Sequence, residues 1–463
     1  MSRLISRFRT PCLVLVLSSL VLASCKDRAS LATNPIPTPM GQDSTHHQGL
    51  DATAVLRQDA AIAFAVYRDA HAAAIRLEGA VADLLARPGD DTLLAARAAW
   101  RDAREPYGLS EVYRFRLGPI DSSDGVIEDG PEPRINAWPI GEAFVDYVAT
   151  RVDGEAGPEA APALPENLIL SRDSLPEITP ASVAQMNQLS GDERNVATGY
   201  HAIEFLLWGQ DLNQNESSWD GVRARDATAG QRPWTDFAIG SACTSGAGHP
   251  QPAWVCQRRG AYLLAISQLL VSDLDGVAAR WNPDGGDHVS QVLTSADAGI
   301  ARVFTSMGRL GFGELAGERI NIPLTQNSQE DEQSCFSDNT HRDILQNARA
   351  IRMAFQGRYE RGDGSVIEGP SLRDWMRVKG QASLADQLAA QLDATVVAAE
   401  AIDRRAAAGE PFDRQIEQGG INDPALSALI AALIAQTETI EAAMTALGMG
   451  VNEMRLDSQS GPR

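Results

Sequence analysis

The sequence predicts an all-α protein made of two related helical bundles around a shared cleft. Three observations carry this. Alanine-rich stretches place apolar residues at steps of three and four or their sums, the period of a helix with one buried face. Alternating Val/Ile/Thr runs, the mark of strands, are few. A short block also recurs. Asp124-Gly125-Val126-Ile127-Glu128-Asp129-Gly130-Pro131 returns, with changes, as Asp363-Gly364-Ser365-Val366-Ile367-Glu368-Gly369-Pro370, each time after a Tyr/Arg pair (Tyr113-Arg114, Arg358-Tyr359). At 463 residues the chain has length enough for two or three domains and a sizeable core.

The elements follow in order. Residues 1–24 read as a secretory leader, with Arg3, Arg7 and Arg9 before an apolar run from Cys12 to Ala23 that is too short to span a bilayer comfortably. The run closes on Leu22-Ala23-Ser24-Cys25, which resembles a bacterial lipobox, so Cys25 is the expected lipidation site. Lys26 then favours the outer membrane by the usual sorting pattern. Residues 25–50 are a polar, Pro-containing tether. An N-terminal bundle is expected over 51–180. It opens with a helix from 51 to 85 (Val55, Ile62, Val66, Ala73 and Leu77 buried) that Pro88-Gly89 stops. A second helix over 91–113 offers Leu94, Ala98, Trp100, Ala103 and Tyr107 as core, with Pro106 placed to kink it.

A C-terminal bundle is expected over 181–455. An irregular excursion at 212–256, holding Trp219, Trp234 and Trp254, interrupts it and reads as an ordered cover. Helices follow over 258–281 and 287–309, and two more over 371–447. Cys243 and Cys256 flank a short Gly/Pro/Ser loop and form the expected disulfide in an oxidising compartment. The formal charge of −21 excludes nucleic acid as a partner, because phosphate binding needs a basic footprint.

The chemistry concentrates in Gly199 to Asp211. His201 and Glu204 lie three apart, on one helical face, among Ile203, Phe205, Leu206, Leu207 and Trp208. A carboxylate in such a wall needs a metal, a cation or a strong hydrogen bond. Spacing leaves two readings open: a metal-binding pair, as Glu-x-x-His pairs form in bundles, or a hydrogen-bonded pair in a helical core. Glu314 and Glu318 share a face if their stretch is helical, with Arg319 beside them. Glu111 sits among aromatic residues, with Arg104 or Arg114 as an alternative partner to a metal.

Gly199-x-His201-x-x-Glu204 followed by Phe205-Leu206-Leu207-Trp208-Gly209 resembles the signature of the imelysin family. Met307 to Gly311, Glu314 to Arg319, and Ser334-Cys335-Phe336-Ser337-Asp338-Asn339-Thr340-His341-Arg342-Asp343 are similar to its iron-regulated protein A branch. The resemblance implies an internally duplicated helical fold and a cell-envelope protein of iron acquisition. It also implies that Glu111 faces the central cleft, and that Trp138 lies near it. In that reading His201, Glu204, Glu111, Glu318 and His341 hold a metal ion, iron first and zinc as the other candidate, or a metal-bearing ligand. The family's name also implies a metallopeptidase in which His201 ligates the metal and Glu204 either ligates it or acts as the general base. The third alternative is a module that binds a peptide or another envelope protein through 212–256.

Overall fold

The computed structural model describes residues 50–148, 166–211, 227–244 and 249–451. The leader, Cys25, the tether and Trp219 lie outside these residues. The described chain is all-α apart from one small hairpin.

Helices α1 (Ala52–Ala86) and α2 (Asp90–Ser110) pack as an antiparallel-type pair across the Pro88-Gly89 break. Asp51 caps α1, its side chain accepting from Ala54 N at 2.8 Å. All five residues expected to be buried in α1 are buried. In α2 the expected core holds at Trp100, Ala103 and Tyr107 but not at Leu94 and Ala98, which are exposed. Leu93, Ala96, Trp100, Ala103 and Tyr107 face inward, while Leu94 is 59% exposed. The 3-4-3-4 spacing of the first set keeps one stripe in line; Leu94 falls off it. Pro106 sits inside α2 without ending it.

Short helices α3 (Glu132–Ile135), α4 (Glu142–Val145) and α5 (Pro180–Ala184) lead to α6 (Gly199–Trp208). Then come α7 (Pro252–Arg280), α8 (Asp287–Thr294) and α9 (Ala296–Arg309). The stretch read as one helix to residue 309 is thus broken at Ser295, and it continues beyond Arg309 as a π-helix, Leu310–Asn321, into α10 (Ile322–Gln326). After α11 (Thr340–Gln356), strands β1 (Arg358–Glu360) and β2 (Val366–Glu368) form an antiparallel hairpin. The expected pair of C-terminal helices is four, α12 (Leu372–Val378), α13 (Ala382–Ala407), α14 (Phe412–Gly419) and α15 (Pro424–Ala446).

The apolar residues form two cores. The larger joins α1, α2, α6, α7 and α9 to parts of α11, α12, α13 and α15. The smaller joins the π-helix, α10 and α14 to the other parts of α11, α13 and α15. The division expected near residue 180 therefore falls inside the larger core, because α7 packs along α1. The recurring Asp-Gly block takes one turn in both places. Asp124 and Asp363 each accept from the backbone N–H two residues on, at 2.8 and 2.9 Å, and Gly125 and Gly364 follow with φ of +82° and +81°. Only the second copy continues as a hairpin.

Cys243 and Cys256 are bonded, which pins the segment after α6 to the start of α7 across a sequence separation of 13. Replacing both by serine is expected to lower unfolding free energy by about 3 kcal/mol, through the freed chain entropy. Urea titration with and without reductant checks this; a wild-type midpoint indifferent to reductant counts against it.

Candidate functional site

Helix α6 is buried along all ten of its residues. Its start explains the glycine of the motif. Gly199 has φ +84°, and a Cβ there would overlap the Ile135 carbonyl, so only glycine lets α6 pass this close to α3. Thr198 Oγ1 donates to Arg134 O at 2.9 Å, and Trp100 Nε1 donates to Tyr200 O at 2.9 Å. These bonds fix the rotation of α6 and point His201 and Glu204 together.

His201 Nδ1 lies 2.9 Å from Glu204 Oε2, and neither side chain has exposed surface. The other carboxyl oxygen, Oε1, accepts from Ser337 N at 3.0 Å and from Ser337 Oγ at 2.6 Å. His201 Nε2 is buried and has no hydrogen-bond partner among the described residues. The rings of Trp138 and Phe336 wall the site, Trp138 standing 5.1 Å from the His201 ring and 5.6 Å from that of Phe336. Burial pushes the Glu204 carboxyl up to about 8, with Ser337 and Arg104 offsetting part of the rise. Burial, then Arg104 and Arg319, push the His201 imidazole well below its ordinary value.

A buried charged network adjoins the pair. Arg104 Nη2 donates to Asp343 Oδ1 at 2.7 Å, and Ser334 Oγ donates to Asp343 Oδ2 at 2.5 Å. Arg104 also bonds Asn136, whose Nδ2 donates to Glu111 Oε1 at 2.8 Å. Glu111 is paired with Arg319, and Asn347 Nδ2 donates to Glu111 Oε2 at 2.7 Å. Burial alone would raise the Glu111 carboxyl; Arg319, Arg114 and Arg104 overcome it and hold it at about 2. Two guanidinium groups thus satisfy two buried carboxylates, and the set ties α2 to the π-helix and α11.

The sequence-predicted residues do not converge on one point. His201 and Glu204 meet; the other three lie apart from them. Glu111 is held by Arg319 rather than by Arg104 or Arg114 directly. Glu318 stands exposed on the outside of the π-helix. Its expected face-mate Glu314 instead bonds Arg319 Nη2 at 3.0 Å, because a π-helix brings i and i+5 together. His341 sits 3.7 Å from Asp403 and lines a cleft of about 600 Å³ with Arg101, Ser337 and Arg342. Among the described residues no three His, Cys, Asp or Glu side chains are placed to hold a metal ion. The His201–Glu204 pair does not open on that cleft; Ser337, which lines it, is the pair's nearest link to it.

Sequence reasoning named Arg104 only as an alternative partner of Glu111, and did not single out Ser337, Asn136 or Asn347 as site residues. Ser337 lay in a quoted block without a signal of its own. Arginine–carboxylate pairs more than 200 residues apart leave no spacing to read.

A family comparison decides the lineage. The model for imelysin, peptidase M75, matches residues 63–444. The chain belongs to the imelysin family. Two solved structures share its fold. One is described as an iron-regulated protein A precursor from Parabacteroides distasonis ATCC 8503, with a TM-score of 0.57 at 16% identity, over 89% of this chain and 98% of that one. The other is an imelysin-like protein from Psychrobacter arcticum 273-4, with a TM-score of 0.52 at 16% identity, over 86% and 98%. No curated protein sequence matches this imelysin-family chain.

Proposed function

We propose that this protein is a lipid-anchored envelope protein of iron acquisition, and that His201 binds the metal of a metal-bearing ligand. The observation that carries the reading is the state of the His201 ring. One nitrogen faces a carboxyl group, and the other is buried with no partner among the described residues. Metal-ligating histidines are held in this way, their far nitrogen bonded to a carboxylate that sets the tautomer. In this reading Glu204 orients and His201 ligates. A bare ion would need further protein ligands, and the described residues bring none to His201. An iron chelate that arrives with its own donors and one exchangeable position needs only the imidazole.

The aromatic walls, Trp138 and Phe336, suit the flat organic part of such a chelate. Trp138 is half-buried beside the His201 ring. The solved structure described as iron-regulated protein A supports the iron assignment by fold. The leader and Cys25 support the envelope address and leave the membrane contact to the lipid. A second envelope protein as partner remains a further proposal. The metallopeptidase alternative gains no support from the geometry, since a catalytic zinc is held by three protein ligands beside an open position.

Equilibrium dialysis against ferric citrate, and separately against zinc, tests the reading, with His201→Ala as the variant. Retained folding with loss of bound iron is the expected result. Unchanged iron content together with a large loss of stability would show a structural pair instead.

A further inference from the structure

A second pocket, of about 190 Å³, opens between α1, the end of α7, α8 and α9, well removed in sequence from the α6 motif. Arg116 and Asp59 line it as a buried ion pair, Nη1 to Oδ2 at 2.8 Å, and Arg116 Nε donates to Ser306 Oγ at 2.7 Å. Arg116 is 4% and Asp59 7% exposed. Each keeps one polar atom with no partner among the described residues, Nη2 on the arginine and Oδ1 on the aspartate. Buried polar atoms are nearly always bonded, and leaving both ends of one ion pair half-used is costly. Two such atoms on residues that share one pocket point to something that enters and bonds both.

The remaining wall limits what that is. Trp281 and His288 meet edge-on at 4.4 Å between ring centres and form an apolar patch with Leu56, Val292 and Val303, while Gln291, Thr294, Ser295 and Arg302 line the rest. Burial and the nearby Arg280 push the His288 imidazole down to about 4, so His288 adds no charge near neutral pH, and the remaining charge on the lining is the exposed Arg302. The Arg116–Asp59 pair itself sums to zero charge. A charged guest is drawn to one partner of that pair and repelled by the other. A neutral group that accepts from Nη2 and donates to Oδ1 uses both. A dry apolar cavity of about 150 Å³ holds benzene, so this volume accommodates one substituted ring.

We propose that this pocket binds a small neutral molecule with an apolar body of about one ring and a head that both donates and accepts a hydrogen bond, such as a primary carboxamide. The site is independent of the iron reading.

Calorimetric titration of the purified chain with benzamide, benzoate and benzylammonium tests it. The expected result is saturable benzamide binding, about tenfold tighter than either charged analogue. Asp59→Asn should weaken benzamide by about tenfold. Because that change touches a buried ion pair, Ala298→Trp serves as a second variant. Ala298 lines the pocket from the exposed surface, so tryptophan there plugs the mouth without entering the core, and binding should be lost. Equal binding of all three compounds, no saturable benzamide binding, or full binding by Ala298→Trp overturns the proposal. So does a crystal soaked in benzamide that shows only solvent in the pocket.

Discussion

Arg104→Met is expected to lower the unfolding free energy by about 3–5 kcal/mol, the cost of stranding a buried carboxylate. Arg104 and Asp343 are each 1% exposed, so solvent cannot take over when the guanidinium is lost. Burial opposes the Arg104 charge, but Asp343 and Glu111 more than offset it and keep the group firmly protonated. The side chain also lies over the rings of Trp100, Tyr107 and Tyr200, at 5.1 to 5.8 Å from their centres, and methionine keeps part of that packing. The double variant Arg104→Met/Asp343→Leu should recover some of the loss, since removing both charges leaves no ion unpaired. Urea unfolding of the two singles and the double measures this. Additive losses would mean that the pair is not coupled.

Glu204→Gln is expected to fold like the wild type and bind the iron chelate about 10- to 100-fold more weakly. Glutamine reproduces the protonated acid: its oxygen still accepts from Ser337, and its amide donates to His201 Nδ1. That forces the ring proton onto Nε2 and removes the lone pair a metal needs. The same substitution changes the pH dependence of stability. With a folded-state value of about 8, Glu204 takes up a proton on folding at any pH between its ordinary range and 8. The stability this contributes is complete below the ordinary carboxylate value and is lost as pH rises through about 8, at about 1 kcal/mol per pH unit. Wild type should therefore weaken between about pH 5 and about pH 8 by more than Glu204→Gln does. Parallel stability curves for the two proteins would remove the raised value. Chelate affinity of the wild type should rise over the same interval, because binding at Nε2 must expel the proton that the pair shares.

The helical class and the pairing of His201 with Glu204 were legible because both depend on short-range periodicity. A three-residue step on a helix puts two side chains side by side whatever surrounds them. Gly199 was legible as part of a motif, but its reason was not, since the obstructing carbonyl belongs to Ile135 in another helix. The π-helix was illegible because its residues, Leu310 to Asn321, read equally well as α; the wider winding lies in the backbone, and the Glu314–Arg319 bond accompanies it. The burial of Glu111 among aromatics was readable, and its choice of Arg319 was not. Nothing local distinguishes Arg319 from Arg114 or Arg104 as the nearest cation. The surroundings of the pair were legible only in part: the family resemblance placed Trp138 near the cleft, whereas Ser337, which bonds Glu204 from 133 residues further on, left no signal of its own.

The separation of those partners along the chain bears on how the protein is made. Arg104 and Asp343 are 239 positions apart, and Glu111 and Arg319 are 208 apart. At ordinary rates of synthesis the acid or base made first waits about 10 to 50 seconds for its counterpart to leave the ribosome. During that interval the nascent chain cannot close its centre without stranding a charge. A delay built into the order of manufacture keeps such a chain threadable, the condition that export across a membrane demands of the leader proposed at its N-terminus.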